Sequence, residues 1–528
     1  MKIEARPLGG TPFAEAWLAG DAGAAAFLPG DPAVLDSYRT RADAIGRSFG
    51  EVERREIAAE LTGGGERAAE RIAAFVQAGG FMVTTGQQPG LFGGPLYALY
   101  KGLTAAALAE RLEAELGRPV LPVFWIASEH HGWDDLRTAH LIDPENELRE
   151  LSLSERSVPA VPAHRIELGN EVSEVVELLL SLMPETEFLP GWAALLRRSH
   201  VPGTTLVEAF RIVMEELMGP AGVFLIRADA PGMKSRALPL LLRELRESGA
   251  RARAGAAVAT DLRRAGFEPQ VPVLDGATNL FLEGPSGRER IFEDVGGYRL
   301  RGSETRLTYE EVEAHALADP SRLSPNVLLR PVVEAAFLPT LAYVGGPGEI
   351  AYLPQAAPVF EGHGIERPVV HPRVSLVVVE RKVEKVLRKF DLELDTMARP
   401  HHELAGRIAR EEMPSEIREG LASLRTGIGG GAEELARAAA AVDPTLRGAV
   451  ESFRGQATGL IEDLERKIVQ GIKRENEIAL TQLAKAQLNL FPLGQPQERV
   501  LHPFQFLVRY DREFLSLVME KARSAVLF

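Results

Sequence analysis

The chain has 528 residues, 45% of them hydrophobic and 25% charged, with a formal net charge of −14 and no cysteine. That length exceeds one ordinary core and implies two or three globular domains. The acidic balance argues against non-specific nucleic-acid binding, which needs Lys and Arg to neutralise phosphates, and the missing cysteines exclude disulfides, thiolate nucleophiles and cysteine-based zinc sites.

The opening MKIEARPLGG carries no apolar signal core, and no run approaches the ~18 apolar residues of a membrane span. A soluble cytoplasmic protein is therefore expected, with small-molecule or protein partners and neither membrane nor nucleic acid among them. Up to about Gly80 the pattern is mostly helical, with one helix opening at Asp31-Pro32 and another over residues 66–77.

Residues 81–135 hold the densest chemistry. A β-branched and apolar run at 82–85 empties into a loop containing Gly86, Gly90, Gly93 and Gly94, and Pro95 follows at a good first-turn position. Leucines at 96, 99, 103, 108, 112 and 116 then recur mostly at three-, four- or five-residue steps, which predicts an amphipathic helix ending at Gly117. A second strand at 120–127 follows directly. Parallel strands need a crossover, so this is a βαβ unit with its glycine loop at the carboxyl end of the first strand, where ligands of open α/β sheets bind. Free N–H groups and the helix dipole make the loop a candidate anion or phosphate cradle, with Gln87 and Gln88 as further donors and acceptors. The plain alternative is a tight packing turn, because the spacing is neither GxGxxG nor GxxxxGK[ST].

The second strand runs into Ser128, Glu129, His130, His131, Gly132, Trp133, Asp134 and Asp135. Imidazole beside carboxylate suits general acid–base work or metal binding, while a solvated loop with an N-capping aspartate explains the same residues without chemistry. No HExxH-type spacing is present, and no metal is assigned.

Residues 141–220 mix a polar, strand-like segment at 147–166 with helices such as 172–183, before a buried strand returns at 222–227. This order suggests an insertion between sheet strands. A second polar passage, 270–306, alternates around glycine turns as a small antiparallel sheet should. Residues 324–352 then repeat the earlier theme, with an apolar stretch at 340–344 emptied into the glycine turn 345–348 and followed by Glu349. A further strand is expected at 374–379. From Glu380 the chain turns helical and charged, with a break at 427–431 and a restart at Asp443-Pro444. Val450, Phe453, Ala457, Leu460 and Leu464 step as a heptad seam does, and Ile468 and Ile472 continue in fours. The reading is one extended hairpin, 380–398 against 444–490, about 70 Å long, whose apolar stripe is covered within the hairpin or by a second chain. Aromatics at 497–515 are expected to dock back on the main body. The division that follows is 1–140 for N-terminal helices and the first part of the core, 141–220 for the first insertion, 221–262 for core continuation, 263–323 for the second insertion, 324–379 for the last part of the core, 380–490 for the hairpin and 491–528 for the docking segment.

Several of these stretches together resemble one family, the cysteine ligases that complete bacillithiol biosynthesis, the BshC family. Its TGQQxGLFxGPLYxxYK stands at residues 85–101 and its RPxxxxxxxPTLAxxGGPGEIAYxxxxxPVF at 330–360, while PRxSxxxxE, QERxxxPFxF and the intervening hairpin follow in the family's order. The resemblance covers nearly the whole chain. It implies an α/β fold, a Rossmann-like parallel-sheet core with two insertions similar in plan to class I aminoacyl-tRNA synthetases, and a coiled coil that dimerises. It also implies addition of cysteine to glucosaminyl-malate as an amide, with ATP or another adenine nucleotide as energy source. Gln87, Gln88, Lys101, Glu129, His131, Arg330, Glu349 and Arg373 occupy motif positions. The chain departs where the family reads Glu-Asp-His-Asp: His130 and Gly132 replace two aspartates, which puts in doubt any mechanism needing both, for example as metal ligands. Neither HIGH nor KMSKS appears.

Joining a carboxylate to an amine needs the carboxylate activated and the amine deprotonated. Lys101 with Arg330 or Arg373 can neutralise phosphates or malyl carboxylates, and His131 or Glu129 can accept the amine proton. Expected catalytic residues are thus Glu129, His131, Lys101 and Arg330, with Arg373 binding substrate. The nucleotide is expected at Gly86, Gln87, Gln88, Gly90, Gly93 and Gly94 and at Gly346, Gly348 and Glu349. The rival reading is a non-catalytic nucleotide- or sugar-binding scaffold whose business is a dimeric coiled coil. The concentration of Gly, Gln, His, Glu and Arg at strand ends in two separate blocks favours the enzyme.

Overall fold

The computed structural model describes residues 1–155, 160–284, 286–301 and 306–526. Two compact units are present: Ile3–Val377 with Glu498–Phe528, and Met1–Lys2 with Val378–Gln497.

In the first unit, five parallel strands make the central sheet: β1 (Phe81–Gln87), β2 (Val120–Ile126), β3 (Phe224–Arg227), β4 (Thr340–Gly345) and β5 (Val369–Pro372). They lie in the order β5-β4-β1-β2-β3, and the two-residue strand Thr62–Gly63 pairs antiparallel outside β3. β2 and β4 are buried along their whole length, which is why they read as unbroken apolar runs instead of alternating. β1 joins β2 through α1 (Leu96–Leu116), which stops at a left-handed Gly117 as the leucine spacing predicts. The insertion between β2 and β3 contains the hairpin Thr138–Ile142/Leu148–Ser152 and the helix α2 (Leu206–Met218). Between β3 and β4 stands a five-stranded antiparallel sheet built on Ala277–Gly284 and Gly287–Asp294, with Leu280, Leu282, Ile291 and Leu300 in its core. Helix α3 (Pro347–His363) connects β4 to β5.

The strand order reverses at β1: β2 and β3 build outward on one side, β4 and β5 on the other. Crossovers leaving β1 and β4 therefore diverge, and a crevice opens between the carboxyl ends of these two strands. The strand beside β4 is Val369–Pro372, whereas the predicted strand, found at Ser375–Val379, lies outside this sheet. β5 is four residues long and ends in a proline, too short for apolar length or alternation to mark it.

In the second unit, α4 (Ser415–Val442) packs against α5 (Leu446–Glu475), and α6 (Glu477–Leu490) follows after a non-helical Asn476. The expected break at 427–431 is absent. Each glycine costs a helix ~1 kcal/mol, and packing of Ile428 with Leu421, Ile461 and Val469 offsets that cost. The partner of α5 is also α4, not residues 380–398, whose helix Arg381–Lys389 packs on α6 instead. The side of α5 facing this cluster carries Ile461, Ile468, Val469 and Ile472. Phe453, Leu460 and Leu464 of the predicted seam remain 59%, 70% and 44% exposed. One residue along a helix turns the side chain by ~100°, so Ile461 and Leu460 face different directions. Back in the first unit, α7 (Phe504–Ala525) lies against α1 and buries Phe504, Phe506 and Phe514.

Candidate active site

A cavity of about 640 Å³ opens at the crevice. β1 contributes Gly86 and Gln87 at its carboxyl end, followed by Gln88, and α1 adds Tyr97 and Lys101; β4 leads into Gly346, Pro347, Gly348 and Glu349 at the first turn of α3. Glu129 and His130 follow β2, and Arg288 and Arg290 reach in from the small antiparallel sheet. Arg330, Arg373 and Arg499 complete the cationic lining, so six Lys and Arg side chains face two carboxylates, Glu129 and Glu349. In a chain of net charge −14 this lining is a local excess of cations, of which Arg330 and Arg373 are paired with Glu334 and Glu498 behind the walls.

The two glycine turns are tied together by Lys101. Its ammonium is 2.5 Å from Glu349 Oε2 and donates to Gly86 O at 2.7 Å and Gln87 Oε1 at 3.3 Å, which occupies all three donors. Glu349 also accepts from the Gly346 N–H at 2.7 Å and from the Tyr343 hydroxyl. Burial pulls the Lys101 ammonium below its ordinary value, against the pull of Glu349. Burial pushes the Glu349 carboxyl up, but Lys101, the Gly346 N–H and Tyr343 together outweigh it and hold Glu349 below the usual carboxylate range. Gln87 is oriented in turn, its amide donating to Gln88 Oε1 and Tyr97 OH.

Arg330 is clamped by Glu334 at 2.6 Å and by the hydroxyls of Tyr343 and Tyr352. Arg373 makes a two-pronged contact with Glu498 at 2.7 and 3.0 Å, leaving its Nε buried with no hydrogen-bond partner among the described residues. A Cβ at Gly346 would stand 3.5 Å from that Nε, so the guanidinium packs close beside the Gly346 turn. Glu129 is 2.5 Å from Lys234 Nζ, which also donates to Leu323 O.

Of the expected site residues, Gly86, Gln87, Gln88, Lys101, Glu129, Arg330, Gly346, Gly348, Glu349 and Arg373 all meet at this cavity. Gly90, Gly93 and Gly94 are not among its walls. A Cβ on Gly93 would meet Val213 at 3.1 Å and one on Gly94 would meet Phe210 at 3.8 Å, so these glycines let the loop approach α2. His131 is likewise not a wall residue: Arg288 Nη1 donates to its Nδ1 at 3.0 Å. Burial first, then Arg288 and His130, pull His131 down to about 4, so the ring is neutral with its remaining proton on Nε2 and no free basic nitrogen. Its neighbour His130 does line the cavity, also neutral through burial, although Asp135 opposes that shift.

Sequence reasoning missed Arg288, Arg290, Arg499, Tyr97, Tyr343 and Tyr352 in the walls, and Lys234, Glu334 and Glu498 as buried counter-ions. Tyr343, Tyr352 and Glu334 stand inside the 330–360 block and Glu498 inside QERVLHPFQF, where their place in a dense motif was the available signal. Among the described residues no group of three or more His, Asp and Glu side chains is placed to hold a metal, and no helix is long and apolar enough to cross a membrane.

Strand order and crevice together make this a Rossmann-like α/β protein with its candidate site at the topological switch point. Residues 5–374 match the pattern described as "Bacillithiol biosynthesis BshC, N-terminal Rossmann-like domain", and residues 376–525 match "Bacillithiol biosynthesis BshC, C-terminal coiled-coil domain". The chain belongs to the BshC family. A relative from Salinibacter ruber is 33% identical over 93% of this chain and 90% of its own. One from Chlorobaculum tepidum is 32% identical over 84% and 80%, and one from Heliobacterium modesticaldum 32% identical over 88% and 85%. All three carry the name "Putative cysteine ligase BshC".

Proposed function

We propose that this chain is a cytoplasmic ligase that joins the carboxylate of cysteine to the amine of glucosaminyl-malate, using an adenine nucleotide, in the crevice between β1 and β4. The carrying observation is family membership joined to a cavity where six cationic side chains face two carboxylates. Cysteine's carboxylate, the malyl carboxylates and a nucleotide's phosphates are all anions. The name of the relatives supplies cysteine, and the motif resemblance supplies the acceptor.

The residues present fit a phosphate. The first turn of α3 offers a helix N-terminus whose donor in this stretch is the Gly348 N–H, since Glu349 takes that of Gly346 and Pro347 has none, and the Arg373 guanidinium stands beside the same turn. A bound nucleotide supplies the leaving group that a carboxylate lacks at neutral pH. Arg373 and the Gly348 N–H would hold the phosphates, while Lys101 and Glu349 keep both glycine turns in register. His130, neutral and in the cavity wall, is the group placed to take the proton released when the amine attacks; Glu129 is committed to Lys234.

The coiled-coil unit supports a homodimer. Phe453, Leu460 and Leu464, together with Leu424, Leu435 and Leu446, leave more exposed apolar surface on α4 and α5 than one chain covers.

Incubating the protein with cysteine, glucosaminyl-malate and ATP should yield the amide by mass spectrometry, with the yield reduced in His130→Ala and Arg373→Lys. No amide from the wild type rejects the reaction; undiminished amide from both variants rejects the crevice as its place.

A further inference from the structure

The cations of the cavity fall into two groups that differ in how they are neutralised. Lys101, Arg330 and Arg373 each contact a carboxylate of the protein, Glu349, Glu334 and Glu498. Among the described residues Arg288, Arg290 and Arg499 have no such contact. Of these, Arg288 and Arg290 stand two residues apart on the strand Gly287–Asp294 and so project from one face, while Ile291 turns the other way into the core of the small sheet.

Among the described residues every polar contact of the Arg288 guanidinium is to a neutral group. Its Nε donates to Ser324 Oγ at 2.8 Å, Nη1 to His131 Nδ1 at 3.0 Å and Nη2 to Pro325 O at 2.7 Å, and the guanidinium carbon lies 4.0 Å from the centroid of the Phe281 ring. Arg290, paired across the strands with Phe281, donates from Nε to Thr278 O at 3.0 Å. Among the described residues neither arginine has a carboxylate within 4.0 Å. The nearby carboxylates are engaged elsewhere, Glu129 with Lys234 and Glu283 with Arg165. Burial pulls the Arg288 guanidinium down to about 10, although Glu129 and Glu283 oppose the shift, as is expected of a cation with no counter-charge in contact.

Holding two guanidiniums at a cavity without counter-ions is costly unless a ligand brings the charge. We propose that Arg288 and Arg290 form a dicarboxylate subsite that takes the malyl part of the acceptor, leaving the glycine turns of the switch point to the activating group. The assignment rests on the acceptor proposed above. Two cations match two carboxylates in number, and the planar guanidinium fork matches a carboxylate in shape. Phe281 stacks on Arg288 and limits its rotation.

L-malate is the probe, titrated calorimetrically into the full-length wild type, Arg290→Gln, Arg288→Gln and Arg290→Lys, with ATP and lactate as parallel ligands. Malate should bind the wild type more tightly than lactate and weaken by at least ~tenfold in Arg290→Gln, with partial recovery in Arg290→Lys and ATP affinity unchanged within about twofold. Arg288 also ties the strand Gly287–Asp294 to Ser324 of the same small sheet and to His131, so Arg290→Gln is the decisive variant if Arg288→Gln loses stability. Malate affinity equal in wild type and Arg290→Gln, no malate binding to the wild type at about 10 mM, or a loss confined to ATP each overturns the subsite. Malate binding that depends on Arg290 in a protein that makes no amide leaves the subsite standing and removes the reaction. Amide formation with an unchanged KM for glucosaminyl-malate in Arg290→Gln does the reverse.

Discussion

Replacing Lys101 by methionine keeps the length and apolar stem of the side chain but removes the charge that bridges the two glycine turns. The ammonium is almost wholly buried, and Glu349 is left 18% exposed with two donors, the Gly346 N–H and Tyr343. Removing one partner of a buried ion pair costs ~3–5 kcal/mol. The residual donors and partial exposure of Glu349 put Lys101→Met near the lower end, about 3 kcal/mol. Urea denaturation at pH 7 of the wild type, Lys101→Met, Glu349→Gln and the double variant forms a cycle, in which a coupling of ~2 kcal/mol is expected. The deficit should also depend on pH. Without Lys101, burial raises the Glu349 carboxyl, so the variant's penalty is full above that raised value and shrinks as the pH falls and the carboxyl takes up a proton. A cost below about 1 kcal/mol, or a deficit that does not change between pH 7.5 and 5, would refute the bridge.

Three further outcomes are expected. His200, His371 and His502 are buried, and desolvation pulls them from the ordinary 6.5 to about 4, 4 and 3. The unfolded chain binds these protons first, so stability is full above about pH 6.5 and falls by up to ~1.4 kcal/mol per group per pH unit toward pH 4, seen as a falling urea midpoint. Leu460→Asp with Leu464→Asp should shift light scattering toward monomer at micromolar concentration, since both side chains are exposed in one chain, and should lower the urea midpoint only as far as association raises it in the wild type. Gly93→Ala places a side chain at φ 86 and presses on Val213, which should cost about 1–2 kcal/mol while calorimetric nucleotide affinity stays unchanged, whereas Gly86→Ala, whose Cβ would stand 2.7 Å from Trp125 O, should disturb the seam between β1 and β2 and alter both.

The first βαβ unit was legible because β1, α1 and β2 announce themselves locally, through an apolar run, leucine spacing and Gly117. Strand order was not, since which strand pairs with β1 depends on connections hundreds of residues apart. Glycines mark a close approach without saying to what: Gly86 approaches β2, Gly93 approaches α2. The coiled coil shows a different ambiguity. Its apolar residues satisfy two stripes one residue apart, and only packing against α4 chose Ile461 over Leu460. Arg288 and Arg290 escaped notice because charges alternating on a strand ordinarily mean a face in water, and nothing local shows that this face closes over a cavity.

The two-pronged pairing of Arg373 with Glu498 has a consequence for synthesis on the ribosome. The unit that holds the cavity is completed by a segment made only after the roughly 120 residues of Val378–Gln497. At ~5–20 residues per second a nascent chain spends on the order of ten seconds with Arg373 lacking its counter-ion and α1 lacking the cover of α7. Its sheet, with all five parallel strands already made, must wait with apolar surface open to chaperones or to neighbouring chains until α7 emerges from the exit tunnel.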